Sequence, residues 1–246
     1  MLTSYIDLLA NEKANETAAD FVREKIRGIV KDPDVAALLS PKDHPIGTKR
    51  ICVDTDYYAT FNRNNVELVD LKSSPIVEIT EEGVRTAAAS LKLDSLIFAT
   101  GFDAMTGSLF AIDIRGRGGL KLQEKWNQGP RSYLGLMSEG FPNLFTVTGP
   151  GSPSVLSNVV VSIEQHVEWI AACIRHMRTS GKRIIEPLLA SENKWVEHVN
   201  EVANTTLYPK ANSWYVGANI PGKPRVFTPY VGGVGTYRQL CDEMPP

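Results

Sequence analysis

The 246-residue sequence is sparing with cysteine and has no long apolar run and no block of one charge. Its three cysteines, Cys52, Cys173 and Cys241, are odd in number, far apart and outside any C-x-x-C or Cys/His spacing. That excludes a disulfide framework and a zinc ribbon, and it fits reduced thiols in a cytoplasmic protein. His44, His166, His176 and His198 share no ligand pattern either, so no metal is expected. No window reaches the roughly 18 apolar residues of a membrane span, and the amino terminus has no basic stretch leading into an apolar one. With a formal net charge of -2 and no run of five like charges, nothing marks a nucleic-acid or membrane surface. Also missing are G-x-S-x-G, the P-loop, H-E-x-x-H and any G-x-G-x-x-G, which argues against hydrolase, kinase and self-contained dinucleotide-binding readings.

What remains is globular material, 43% hydrophobic and long enough for one or two domains. Residues 11–30 space Ala14, Ala18, Phe21, Val22, Ile26 and Ile29 three and four apart, predicting an amphipathic helix that needs a sheet to cover. Asp32-Pro33 reads as an N-cap with proline at the first helical position, opening a helix to Leu39 that Ser40-Pro41 ends. Strand-like stretches follow at 51–53, 66–70, 76–80 and 93–99, with Glu81-Glu82-Gly83 turning between the last two, so this part reads as sheet with short crossovers. Residues 101–140 are rich in glycine and charge, as in Arg115-Gly116-Arg117-Gly118-Gly119, and are assigned to a loop or small antiparallel excursion.

Residues 143–148 form another strand candidate running into Gly149-Pro150-Gly151-Ser152-Pro153-Ser154, with a helix starting near Ser157-Asn158. Val159, Ile163, Val167, Ile170, Ile174 and Met177 make its apolar stripe, and Gly181 ends it. A second helix at 192–203 carries Trp195, Val199 and Val202, and the tail from Asn212 to Tyr237 reads as ordered coil.

The most informative segment is the one ending in Ala99-Thr100-Gly101-Phe102-Asp103-Ala104. An apolar strand closing on glycine either makes an ordinary turn or lets bare backbone approach a bound dinucleotide at the carboxyl end of a sheet. The Gly149-to-Ser154 turn offers the same choice. It is half a phosphate fingerprint, stiffened by Pro150 and Pro153, so a helix start there suits an electron-rich ring edge such as a flavin carbonyl better than a pyrophosphate. Lys49-Arg50 is either a solvated loop end or a cationic pair held toward a cleft, and Trp214 is either core or a stacking face for a flat ring.

Together, Gly47-Thr48-Lys49-Arg50, Asp56-Tyr57-Tyr58 with Phe61-Asn62-Arg63, Ala99-Thr100-Gly101-Phe102-Asp103-Ala104, Ile112-Asp113-Ile114-Arg115-Gly116, Trp126, Tyr133-Leu134-Gly135 and Phe141-Pro142-Asn143 resemble Baeyer–Villiger monooxygenases in residue and in order. Gly149-Pro150-Gly151-Ser152-Pro153-Ser154, Ser162-Ile163-Glu164-Gln165-His166-Val167-Glu168-Trp169 and Ser213-Trp214-Tyr215-Val216-Gly217-Ala218-Asn219-Ile220-Pro221-Gly222-Lys223 are similar to the phenylacetone and cyclohexanone monooxygenase branch.

The resemblance covers nearly the whole chain but only the carboxyl-terminal portion of the family. It implies a partial FAD/NAD(P)-binding, two-dinucleotide-domain α/β flavoprotein fold, with residues 1–90 from the NADP domain and 91–246 from the FAD domain and its tail. It implies an enzyme using NADPH, FAD and molecular oxygen to insert oxygen beside a ketone carbonyl, giving an ester or lactone. By position Arg50 matches the active-site arginine and Lys49 and Trp214 match NADP contacts. Arg50, Thr100, Gly101, Asp103, Asn158 and Val159 fall at cofactor-contacting positions, and Ser154, Val155 and Leu156 resemble the loop lining the ketone pocket. Met1 is expected to begin inside the NADP domain and Met244-Pro245-Pro246 to be an early end. The family's F-x-G-x-x-x-H-x-x-x-W-P fingerprint and both phosphate turns are missing, so the isolated chain is expected to be inactive and to need an amino-terminal half. Alternatives are a flavin N- or S-oxygenating monooxygenase and a non-catalytic subunit complementing a separate amino-terminal chain.

Overall fold

The computed structural model describes residues 5–243. Met1 and Met244-Pro245-Pro246, on which the expectations about the chain ends rest, lie outside them. The fold is mixed helix and sheet, a partial α/β arrangement, in two compact units that divide between Gly101 and Phe102.

The first unit opens on α1 (Glu12–Ile29), whose cap Asn11 accepts from the N–H groups of Lys13 and Ala14 at 2.9 and 3.2 Å. Its buried row is Asn15, Ala19 and Ile26, with Val22 half-buried beside them, while Phe21 and Ile29 face out. The predicted stripe was therefore turned about one residue, and the cover is not a sheet. Ile26 packs with Val30 and with Ala36 of α2 (Pro33–Leu39), flanked by Val35, Leu39 and Tyr58. The capping of α2 is as predicted: Asp32 accepts from Asp34 and Val35, and Ser40 ends the helix.

After the single-turn α3 (Tyr57–Thr60) come β1 (Ile76–Thr80), β2 (Gly83–Thr86) and β3 (Ser90–Lys92), an antiparallel meander in the order β1-β2-β3. Thr80 pairs with Gly83, so Glu81-Glu82 is a two-residue hairpin loop into β2 and not a link to residues 93–99. Glu78 and Arg85 face each other across the hairpin and form an ion pair at 2.6 Å. Residues 51–53, 66–70 and 93–99 are coil, with a bend at Asp94, and not strands. The last ladder-like bond is Leu93 N–H to Glu82 O at 3.0 Å; beyond it Ile97 and Phe98 are 88% and 67% exposed. High β-propensity alone does not make a strand; a strand also needs a neighbour to accept its ladder, and among the described residues there is none.

The second unit contains two single-turn helices, α4 (Gly107–Phe110) and α5 (Leu122–Lys125), then the long α6 (Val159–Thr179), α7 (Leu189–Asn204) and α8 (Val234–Glu243). Arg115 and Lys121 make one antiparallel bridge within the glycine-rich excursion. Residues 143–148 are turn and coil instead of a strand: Asn143 N–H reaches Ile185 O at 2.9 Å and Thr146 N–H reaches Leu136 O at 2.8 Å, isolated bonds to two different segments that make no ladder. Asn158 caps α6, and Gly181, at φ +67°, closes it, with Lys182 N–H reaching back to Met177 O at 2.8 Å.

The buried face of α6 is the one surprise of its pattern. Ser162, Gln165, His166, Trp169 and Cys173 point inward, whereas Val159, Ile163, Val167 and Ile174 of the predicted stripe are exposed, together with Val160 and Val161. Trp169 and Cys173 win because they meet Trp195 and Val199 of α7, Tyr237 and Cys241 of α8, and Leu134, Leu136 and Tyr230 from the intervening coil. Two polar members of the inward row find partners, with Ser162 Oγ 2.7 Å from Ser157 Oγ and His166 Nδ1 accepting Thr148 N–H at 3.0 Å, while Gln165 Oε1 and His166 Nε2 have none among the described residues. Tyr237 donates to Leu134 O at 2.6 Å, tying α8 to the core, so the tail is coil only as far as Val234.

A second core holds Leu122, Trp126 and Phe141. Beside it, fully buried Glu192 accepts Glu139 N–H at 2.9 Å and pairs with Lys125 Nζ at 3.0 Å, while Lys125 also meets Glu139 at 2.5 Å. Burial alone would lower the Lys125 pKa, but the two carboxylates outweigh it and raise it.

Candidate functional site

Of the predicted site residues, Lys49, Arg50, Thr100 and Gly101 lie in the first unit and the others in the second. Lys49 is half-buried and Arg50 exposed on the rim of a cleft of about 540 Å³, whose other walls include Val22, His44, Ile51, Tyr57 and Tyr58. The cleft joins a fixed guanidinium and an ammonium to an apolar and aromatic floor, a combination that suits an anionic or flat ligand.

The loop bearing the two cations is held by a residue that sequence reasoning passed over. Asn15, buried in the first turn of α1, donates to Leu8 O at 2.8 Å and Ile46 O at 2.9 Å and accepts Ile46 N–H at 2.9 Å. Thr48, also fully buried, donates to Pro45 O at 2.6 Å. A polar residue interrupting an apolar helical row was the available signal. Next to the cleft, His44 Nδ1 lies 2.7 Å from Asp43, and that hydrogen bond holds the Asp43 carboxyl below its ordinary pKa. Thr100 and Gly101 end the exposed 93–101 segment, with Gly101 at φ +85°.

In the second unit the Gly149-to-Ser154 turn is knitted into its own surroundings. Gly151 N–H donates to Thr228 O at 2.7 Å, Ser152 N–H to Gly149 O at 3.1 Å, and Tyr230 N–H to Ser152 O at 2.8 Å. A Cβ on Gly149 would stand 2.5 Å from Gly135 O, so this glycine serves internal packing. The Gly151 and Ser152 amides are thus spent on internal bonds, and Pro150 and Pro153 have none to offer. Ser154, Val155 and Leu156 form a tight 3-10 turn. Ser154 is buried at φ +34°, and its Oγ has no partner among the described residues. Asn158 Oδ1 accepts Val160 N–H at 3.1 Å, and Val159 beside it is 39% exposed. Residues 154–159 thus form one continuous, partly open edge at the start of α6.

Trp214 sits half-buried on the turn Trp214–Val216, its ring centroid 4.3 Å from that of Tyr215. Trp214, Ala104, Thr106 and Lys223 line a small cavity of about 30 Å³, and Lys223 forms an ion pair with Asp103. The structure therefore brings Asp103 and Trp214 into one neighbourhood through Lys223, a residue with no sequence signal beyond its place in a matching motif. Among the described residues there is no helix long and apolar enough to cross a membrane and no cluster of three metal-binding side chains.

No family model matches the chain. Individual proteins do. An acetone monooxygenase (methyl acetate-forming) of Gordonia sp. is 44% identical over 244 residues, 98% of this chain and 46% of that protein. A Baeyer-Villiger monooxygenase of Pseudooceanicola batsensis is 44% identical over 239 residues, 97% of this chain and 43% of its own length. A phenazine N-monooxygenase of Lysobacter antibioticus is 44% identical over 245 residues, 99% and 44% respectively. Among solved structures, an oxidized steroid monooxygenase bound to NADP superposes with a TM-score of 0.91 at 51% identity, covering 99% of this chain and 46% of that one. The chain spans less than half the length of the curated relatives it matches.

Proposed function

We propose, from the homology of this chain to Baeyer–Villiger monooxygenases along nearly its whole length, that it supplies the carboxyl-terminal portion of an FAD- and NADPH-dependent ketone monooxygenase. In this reading residues 1–90 contribute to the NADP domain and residues 91–246 to the FAD domain. Bound FAD, reduced by NADPH, supplies the activation of molecular oxygen. Arg50 provides a permanent positive charge at the reacting ring, and Lys49 and Trp214 contact NADP. Thr100, Gly101, Asp103, Asn158 and Val159 border the flavin, and Ser154, Val155 and Leu156 shape the ketone pocket.

The observation that carries the reading is the outward row of α6. Val159, Val160, Ile163 and Val167 stand open immediately after the pocket-loop positions, with Val160 60% and Val167 51% exposed. An apolar surface of this kind calls for a cover. The cover is polypeptide equivalent to the relatives' unmatched length, which would also bring the phosphate-gripping turns this sequence lacks.

The test is a chimera in which the unmatched portion of the Gordonia acetone monooxygenase is fused ahead of this chain, compared with the chain alone. The expected result is no flavin retention by the chain alone, and yellow flavoprotein with ketone-dependent NADPH oxidation and ester formation by the chimera. Arg50→Ala in the chimera should keep the flavin and lose ester formation by roughly a hundredfold or more. A chimera that binds flavin but shows no ester, or an Arg50→Ala chimera with undiminished turnover, overturns the reading. The phenazine N-monooxygenase relative favours one alternative, oxygen transfer to nitrogen. A chimera that oxidises NADPH with a phenazine and not with a ketone would establish it.

A further inference from the structure

We infer that Lys223 is a positioning residue that latches the Trp214 turn onto the Phe102-Asp103-Ala104 loop, so that the two cofactor-facing positions move as one. Their sequence separation exceeds a hundred residues, yet two donor groups of the 213–223 segment make three contacts with three consecutive residues of the loop. Lys223 Nζ pairs with the Asp103 carboxylate and donates to Ala104 O at 3.1 Å, and Asn219 Nδ2 donates to Phe102 O at 2.9 Å.

The ammonium is not a floating surface charge: its side chain is 13% exposed. Its stem lies over Gly217, where a Cβ would stand 3.1 to 3.2 Å from the Lys223 methylenes. Asp103 is fixed from its other side, with its carboxylate packed on Gly107 at the start of α4.

From Lys223 back to Trp214 the backbone is a chain of tight turns. Lys223 N–H reaches Ile220 O at 3.3 Å, Ile220 N–H reaches Gly217 O at 3.3 Å, and Gly217 N–H closes on Trp214 O at 3.0 Å, with Gly217 at φ +70°. A displacement at Lys223 is therefore passed along hydrogen bonds to the Trp214 backbone, while Tyr215, whose carbonyl accepts Thr228 N–H at 2.9 Å and whose buried ring packs on Tyr208 and Phe227, anchors the far end of the turn. The mechanical link stands on these contacts alone. Its consequence for catalysis, that occupancy near Asp103 is felt at Trp214, rests on the proposed function.

The test is amide hydrogen exchange, read by mass spectrometry on the full chain without any cofactor. In a Cys52→Ser background, Asp103→Asn and Lys223→Cys should each speed exchange of the amides at 216–223 by about tenfold, with the amides of α7 unchanged as an internal reference. Treating Lys223→Cys with 2-bromoethylamine rebuilds an ammonium at nearly the lysine length, and protection should return. If Asp103→Asn opens only residues 102–107, or if aminoethylation fails to restore protection, the latch is refuted. Equal acceleration in α7 would also refute it, by showing a general loss of stability. Because no flavin or nicotinamide is present, failure of the cofactor reading leaves this result intact.

Discussion

Lowering the pH should destabilise this chain through His166, and the size of the effect follows from its surroundings. The imidazole is fully buried on α6, with its ring 5.5 Å from that of Tyr237. Nδ1 accepts the Thr148 N–H, so the neutral ring carries its proton on Nε2, which has no partner among the described residues. Burial lowers its pKa from the ordinary 6.5 to about 4. The Thr148 bond acts in the same direction, since it is made to the neutral form. Between these two values the unfolded chain binds a proton that the folded chain refuses, so stability rises with pH across the window. It is fully present above about pH 6.5 and lost as the pH falls toward 4. At about 1.4 kcal/mol per pH unit the loss is about 1.4 kcal/mol at pH 5.5 and roughly 3 kcal/mol at pH 4.

Urea unfolding at a series of pH values measures this directly when wild type is compared with His166→Asn, whose Oδ1 can still accept the Thr148 amide. Carboxylate contributions are common to both and cancel in the difference. The variant should start less stable at pH 7.5 because of its lost volume. It should then close the gap by roughly 3 kcal/mol on acidification. Parallel curves would refute the assignment of a neutral, buried imidazole.

Two further outcomes follow from the second unit. Glu192→Leu leaves Lys125 and the Glu139 amide without their buried acceptor and should cost about 3–5 kcal/mol in urea unfolding. Glu192→Gln, which keeps an oxygen for the amide, should cost less, and equal losses would show that the carboxylate is not the shared anchor. Gly135→Ala forces a Cβ to within 2.6 Å of the Ser152 backbone at φ +73° and should cost well over 2 kcal/mol. Gly118→Ala, at φ +63° but in open space, should cost only about 1 kcal/mol by the same measurement.

Features fixed by neighbours in sequence were legible without the fold. Asp32 caps the helix predicted from it, the helices expected over 11–30 and from near Ser157-Asn158 start at Asn11 and Asn158 caps, Gly181 ends α6 through a left-handed residue, and Glu81-Glu82-Gly83 makes a turn. These contacts span a few residues, so short-range chemistry is enough to specify them. The resemblance to Baeyer–Villiger monooxygenases was equally legible, because it lies in the residues themselves.

The tertiary structure alone decided which face of α6 goes inward and which extended segments become strands. An aliphatic row and a mixed polar and aromatic row run along α6, and only the presence of Trp195, Tyr230 and Tyr237 on one side selects Trp169 and Cys173 over Val167 and Ile174. Residues 93–99 have the composition of a buried strand, but pairing is a property of two segments, and one segment's sequence cannot state whether the other is there. Lys223 and Asp103 meet for the same reason. Nothing local distinguishes them from solvated charges until the chain between them has folded.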